Sequence, residues 1–368
     1  MRIDPPFRAD HVGSLLRPRE LKDAFRGVHG GSLGADEFRA IQDRAIRDVV
    51  ALQEAIGLKS ITDGEFRRSS YWAHFVEAVE GFEVRDSLFR FRDDRETLAF
   101  TAPHVVGRLR RRRSISGDEF RFLRDVTRET PKITLPSPST MHFWRGPEGM
   151  EPGVYRDRDE LFGDLVRIYQ EEIAELAGLG ATYVQLDEVP LAMLCDPAVR
   201  DAVEARGDDP EGLVALYVEA INAALASRPV SVTVALHLCR GNYKGKWISA
   251  GGYAPVAERL FRDARVDAFF LEYDSARAGD FEPLRSVPEP KVVVLGLVSS
   301  KQAEIESKAG LIWRIREAGR VLPLERLALS PQCGFASTVA GNPVTEEVER
   351  AKLACIVETA AEVWGSTG

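Results

Sequence analysis

Cysteine and long apolar runs are both scarce in this chain. Four cysteines, Cys195, Cys239, Cys333 and Cys355, are spread thinly through 368 residues. That is too few and too scattered for the disulfide framework of a small secreted domain. No apolar stretch approaches the roughly 20 residues that span a bilayer. The opening "MRIDPPFRADHVGSLLRP" scatters charges where a signal peptide would carry its apolar core. The expectation is a reduced, cytoplasmic protein with no membrane partner. Basic residues are the minority, 49 against 57 acidic, for a formal net charge of -8. Nucleic acid is therefore not the expected partner. Small molecules are, and a homo-oligomer is compatible with the composition. The one dense basic run, Arg110 to Arg113, reads as a solvated loop or as a grip on an anionic substrate tail. No Walker sequence or dinucleotide fingerprint follows a strand. The "GNYKGK" stretch lacks the required pattern and reads as a loop over an active site.

What is present is an alternation of strands and helices. Helical periodicity covers 36–57, with a glycine stop, and then 158–178, 211–226, 254–263, 301–318 and 344–363. Between these lie apolar strand texts: "KSITDGE", "KITLPSP", "ATYVQLDE", 231–238, 267–272, "KVVVLGLV" and "LALS". The pattern implies βαβ units and a mostly parallel sheet. Polar residues choose the architecture, because chemical groups recur at the C-terminal ends of many strands: Asp63 and Glu65, Asp187 and Glu188, His237 and Cys239, Glu272, Cys333. Residues drawn from so many strands meet naturally at the mouth of a barrel. The predicted fold is α/β, a (β/α)8 TIM barrel forming one catalytic domain over 1–368. The charged text of 82–130, including "TAPHVVGRLRRRRS", is expected to be an inserted excursion containing a β-hairpin. Cys355, within the last helical pattern, is expected to be a core residue.

Four of these groups form a metal-ligand set. His237 and Cys239 close "SVTVALHLC", and residues two apart on a strand point the same way. Glu272 ends the apolar "DAFFLEYDS", where a buried carboxylate needs a partner. Cys333 sits between Pro331 and Gly334 in a turn that presents its thiol. Two thiolates, an imidazole and a carboxylate suit Zn2+. A zinc so ligated is a weak Lewis acid whose natural use is to bind and activate a substrate thiol.

In these motifs the chain resembles the catalytic domain of the cobalamin-independent methionine synthase family, from "HVGSLLRP" to "SPQCGF". The resemblance implies a UROD/MetE-like barrel that transfers a methyl group from 5-methyltetrahydrofolate to homocysteine. It implies metal ligation by His237, Cys239, Glu272 (in "LEYDSAR") and Cys333. It further implies amino-acid binding by Gly13 and Ser14, by Glu65 in "TDGEFRR", and by Asp187 in "LDEVP". Trp144, ending "SPSTMHFW", matches the tryptophan that stacks on folate. The family's catalytic histidine after the seventh strand has no counterpart, for "LGLVSSKQAEIE" places Ser299, Ser300 and Lys301 there. Lys301 and His11 are the candidate proton donors, with Glu272 as an exchanging ligand, and His142 is a further candidate near Trp144.

The function expected is zinc-dependent S-methyl transfer in methionine biosynthesis. An alternative keeps the thiol nucleophile and exchanges the methyl donor for an epoxide or other alkyl electrophile. A second alternative is a barrel lyase or binding protein without metal, using arginines to hold carboxylates.

Overall fold

A computed structural model describes residues 4–92 and 96–368. Seven parallel strands, taken in chain order, build one curled sheet: β1 (Ser60–Ile61), β2 (Thr130–Pro136), β3 (Tyr183–Glu188), β4 (Thr233–Leu238), β5 (Ala268–Glu272), β6 (Val292–Val298) and β7 (Leu327–Pro331). Each strand pairs with the one before it in sequence.

Strand side chains alternate between two buried environments, as a sheet covered on both faces requires. One set, Val184, Leu186, Val234, Leu236, Phe269, Leu271, Val293 and Leu295, joins the main core beneath the helices. The other, including Tyr183, Ala235, Phe270 and Val294, forms a separate small cluster. His237, in register with Asp187, continues that second set toward the strand ends.

The expectation of eight barrel strands is met only in part. Among the described residues seven strands form ladders, and the stretch Arg8–Asp10 lies beside β7 through one bridge, Ala9 to Leu329. The hydrogen bonds Asp10 N–H to Leu329 O (3.0 Å) and Leu329 N–H to Arg8 O (2.9 Å) flank it. Pro5 and Pro6, which lack amide donors, prevent a longer ladder here. On the other side the link to β1 runs through side chains, with Ser60 Oγ donating to Asp10 at 2.6 Å.

The long helices fall close to the predicted ranges, for example Ala35–Ile56, closed by Gly57 at φ 99°, and Arg158–Gly178. The one predicted over 301–318 starts later, at Lys308, because Ser307 caps it by accepting from Gly310 N–H. The preceding residues, from Lys301, form a loop. An antiparallel hairpin, with arms Val79–Asp86 and Thr101–Arg111, begins just ahead of 82 and runs into the 82–130 stretch. A register shift between Glu80 and Phe82 surrounds Gly81, whose φ of 99° and 2.6 Å clearance from Gly107 O leave no space for a side chain. The excursion also holds a helix, Gly117–Val126. The basic run is not a free loop: Arg110 and Arg111 belong to the second arm and pair with Glu80, and with Glu172 and Glu175, respectively. No helix among the described residues is long and apolar enough to cross a membrane.

Candidate active site

A cavity of about 730 Å³ opens at the C-terminal ends of the strands, and its wall includes Ser14, Glu65, Asp187, His237, Cys239 and Cys333. Trp144 lines it as well. The strand ends thus bring together the groups that the sequence distributes over 320 positions, Ser14 to Cys333.

His237, Cys239 and Cys333 hold their ligand atoms within 4.8 Å of one another, and all three are buried. The thiols are free, with Cys239 Sγ and Cys333 Sγ 3.3 Å apart. Neither ring nitrogen of His237 has a hydrogen-bond partner. A shared S–H bond pushes the Cys239 thiol up and pulls Cys333 well below the usual thiol range, aided by the neighbouring His237. An orphaned imidazole beside a thiol and a stabilised thiolate is a donor set that fits zinc.

Glu272 is adjacent but lies outside that group. Its Oε1 accepts from Arg240 N–H at 2.9 Å, and its Oε2 lies 4.0 Å from Lys301 Nζ. Three of the four expected ligands therefore converge, and the fourth is occupied by neighbours. Lys301 also donates to Gly241 O at 3.1 Å. Burial lowers its pKa, but Glu272, Asp274 and the two thiols outweigh that and raise it. Lys301 is thereby held between Gly241 O and Glu272, beside the thiols.

The two acidic groups of the wall are held from behind. Glu65 sits at φ 61° after Gly64 at φ 69°, a left-handed pair fixed by Asp63 Oδ1 accepting from Glu65 N–H at 2.8 Å. Its Oε1 accepts from Thr134 Oγ1 at 2.8 Å and lies 3.6 Å from Arg68, while Oε2 is buried with no partner. The unsatisfied oxygen is thereby left able to accept a hydrogen bond from the cavity side. Asp187 Oδ1 accepts from Gln185 Nε2 at 2.7 Å. Burial and the nearby Glu65 push its pKa up to about 7. Gly13, at φ 143°, lies behind the wall, where a Cβ would come within 2.7 Å of Thr134. The Ser14 hydroxyl lies over Gly334 and leaves no space there for a Cβ.

Two sequence candidates fall elsewhere. His11 is buried off the cavity lining, with Nε2 3.2 Å from Ser60 O, and burial lowers its pKa to about 4. His142 is packed behind the wall, its Nδ1 2.9 Å from Tyr217 Oη. Neither lines the cavity. The sequence reading missed Arg68, which joins Glu65 to Glu119 of the excursion helix (Nη2 to Oε2 2.7 Å). It also missed Tyr71, whose buried hydroxyl has no partner at the cavity wall. The only signal for Arg68 is its place beside the "TDGE" motif, and for Tyr71 there is none.

The family model described as "Cobalamin-independent synthase, Catalytic domain" matches residues 7–362. The uncharacterized protein YxjH of Bacillus subtilis is 39% identical over 98% of this chain and 95% of its own. A methionine synthase of Pyrococcus abyssi is 28% identical over 88% and 85%. Among solved structures, one from Listeria monocytogenes, named as a candidate vitamin-B12-independent methionine synthase, superposes with a TM-score of 0.79 at 33% identity over the whole of both chains. A B12-independent methionine synthase from Shewanella sp. W3-18-1, in complex with selenomethionine, has a TM-score of 0.74 at 22% identity over 97% of each chain and supports the fold alone.

Proposed function

The chain belongs to the family of cobalamin-independent synthase catalytic domains, and from that premise we propose a zinc-dependent S-methyltransferase acting on homocysteine or a similar thiol. One observation carries this reading: the His237–Cys239–Cys333 group faces the same cavity as Glu65 and Asp187. A thiol and an ammonium on one small molecule fit those two halves together.

His237, Cys239 and Cys333 would hold the metal. Bound zinc supplies a positive charge that lowers the pKa of a substrate thiol. Glu65 and Asp187 receive the substrate ammonium, the free Oε2 of Glu65 being the acceptor without a protein donor. Ser14 adds a hydroxyl on the same wall, and Lys301 places a cation 4.0 Å from Glu272 beside the thiols. The substrate sulfur then attacks the methyl carbon of a donor lying against Trp144, in line with the departing group. The resemblance implies 5-methyltetrahydrofolate or a related donor.

Opening an epoxide would require a proton at the departing oxygen. Of the two groups expected to provide it, His11 lies off the cavity lining and Lys301 is engaged with Gly241 O and Glu272. A metal-free lyase would use free arginines, yet Arg17 donates to four backbone carbonyls and Arg68 to Glu119 and Thr134. Membership of the synthase family favours methyl transfer over both alternatives.

The test is elemental analysis of wild type and Cys333→Ser, together with proton release on adding homocysteine. One zinc per chain, lost or weakened in the variant, and about one proton released per chain are expected. Zinc-loaded protein that releases no proton with homocysteine would overturn the reading.

A further inference from the structure

The outer half of the cavity speaks to the donor, and this inference rests on the thiol-methylating function proposed above. Four aromatic rings there form a continuous wall. Tyr243 touches Phe91 (centroids 5.4 Å), Phe91 meets Phe100 edge-on (4.8 Å), and Phe100 meets Trp144 edge-on (5.2 Å, 90°). All four line the cavity, and Phe91 and Phe100 come from the excursion rather than from the barrel. The charged lining residues among those described are Glu65, Asp187 and Glu77, with no lysine or arginine. Nearby cations are engaged: Lys301 with Gly241 O and Glu272, Arg68 with Glu119 and Thr134, and Lys244 with the Tyr243 ring, its ammonium 5.3 Å from the centroid.

Such a chamber disfavours an anion and favours a cation. Aromatic faces attract positive charge through their quadrupole, and carboxylates add to that field. The chamber also bears on the leaving group. A methylated amine such as methyl-folate needs a proton as it departs, yet neither His11 nor His142 lines the cavity, and Lys301 is engaged with Gly241 O and Glu272.

We propose that the methyl donor is an onium compound, a sulfonium or quaternary ammonium, seated against the Tyr243–Phe91–Phe100–Trp144 wall. The substrate thiol first loses its proton to solvent. Its sulfur lone pair forms the new S–CH3 bond while the onium–CH3 bond breaks, and that bonding pair stays on the leaving atom. The departing thioether or tertiary amine is neutral and requires no proton. In sum, R–SH and R′2S⁺–CH3 give R–S–CH3, R′2S and H⁺.

The test uses zinc-loaded full-length protein with homocysteine and either S-methylmethionine, carrying a deuterated methyl group, or 5-methyltetrahydrofolate. Labelled methionine is read by mass spectrometry, and homocysteine-triggered proton release is recorded in the same preparation. Faster labelled transfer from S-methylmethionine than from methyl-folate supports the inference. So does a rise of about tenfold in the KM for S-methylmethionine in Phe100→Leu with proton release preserved. Proton release with no transfer from S-methylmethionine, or with faster transfer from methyl-folate, overturns the onium donor and leaves thiol activation intact. Absence of proton release overturns the underlying thiol reading instead. Competition separates charge from shape: choline should inhibit at least tenfold more strongly than its uncharged isostere 3,3-dimethylbutan-1-ol, and equal inhibition would overturn the proposal.

Discussion

At the scale of single residues, the site is built from groups whose own partners leave one atom free. Asp187 is held on one oxygen by Gln185, and Glu65 on one oxygen by Thr134, with Glu65 Oε2 left bare. Asn in place of Asp187 would still accept from Gln185 Nε2 through its carbonyl oxygen, so Asp187→Asn removes charge and little else. The expected result is a KM for homocysteine raised about 10- to 100-fold, the worth of one charge-assisted hydrogen bond. The melting temperature should stay within a few degrees of wild type. Steady-state kinetics with calorimetry checks this, and an unchanged KM would remove Asp187 from the ammonium site. Asp187, like His237, Cys239 and Cys333, was legible because it sits at a strand end within a short motif. Arg68 and Tyr71 were not, since their roles depend on where the excursion folds back. Glu272 was legible as a buried carboxylate beside the thiols but not as the partner of Arg240 N–H, a contact that no local pattern announces.

At the scale of elements, the last helix, Glu346–Trp364, is tied to the N-terminal segment through one buried carboxylate. Glu349 Oε2 accepts from Leu16 N–H at 2.8 Å, 333 positions away in sequence. Burial pushes its pKa up to about 8, against the usual value near 4.5. Because the folded pKa is raised, the folded chain holds a proton here that the unfolded chain loses above about pH 4.5. Its stabilising contribution is therefore complete below pH 4.5 and is lost as pH rises through 8. Glu349→Gln keeps an acceptor for Leu16 N–H and cannot ionise. It should match wild type near pH 4.5 and exceed it by about 4 kcal/mol at pH 8.5. Urea unfolding at the two pH values decides the matter, and parallel curves would show that Glu349 does not titrate in this range. The amphipathic text of this helix made its existence readable, and its range was nearly right. The excursion was readable only as a departure from the repeat, because its apolar residues face a cavity that the sequence does not display. Its hairpin could therefore be read from the sequence, and its aromatic contribution to the cavity wall could not.

At the scale of the whole molecule, the inside of the curled sheet carries charge below the site as well as at it. Asp10 and Lys132 meet at 2.9 Å with both side chains wholly buried. Lys132 Nζ also donates to His11 O and, at 3.1 Å, to Gln185 Oε1. Its ammonium lies over the rings of Tyr183 and Phe270, whose centroids are 5.1 and 4.6 Å away. Tyr183 Oη in turn donates to Asp10 Oδ2 at 2.9 Å. This cluster joins the single-bridge segment Arg8–Asp10 to β2 and β3, where ladder pairing to the N-terminal segment is limited to β7. Side chains thus perform part of the closure that eight complete strands would give to a barrel, a division of labour invisible in a sequence that reads simply as βαβ repeats. Removing one partner of a buried pair leaves an uncompensated charge, which typically costs about 3–5 kcal/mol, whereas removing both is far less harmful. Lys132→Met should therefore lower the urea midpoint sharply, and Asp10→Asn combined with Lys132→Met should recover most of the loss. Gln185 carries the consequence upward, since it accepts from Lys132 and donates to Asp187. The double variant should bind homocysteine more weakly than wild type even where its stability is restored. If stability and homocysteine affinity recover together, the buried pair serves the fold alone and Asp187 is positioned without it.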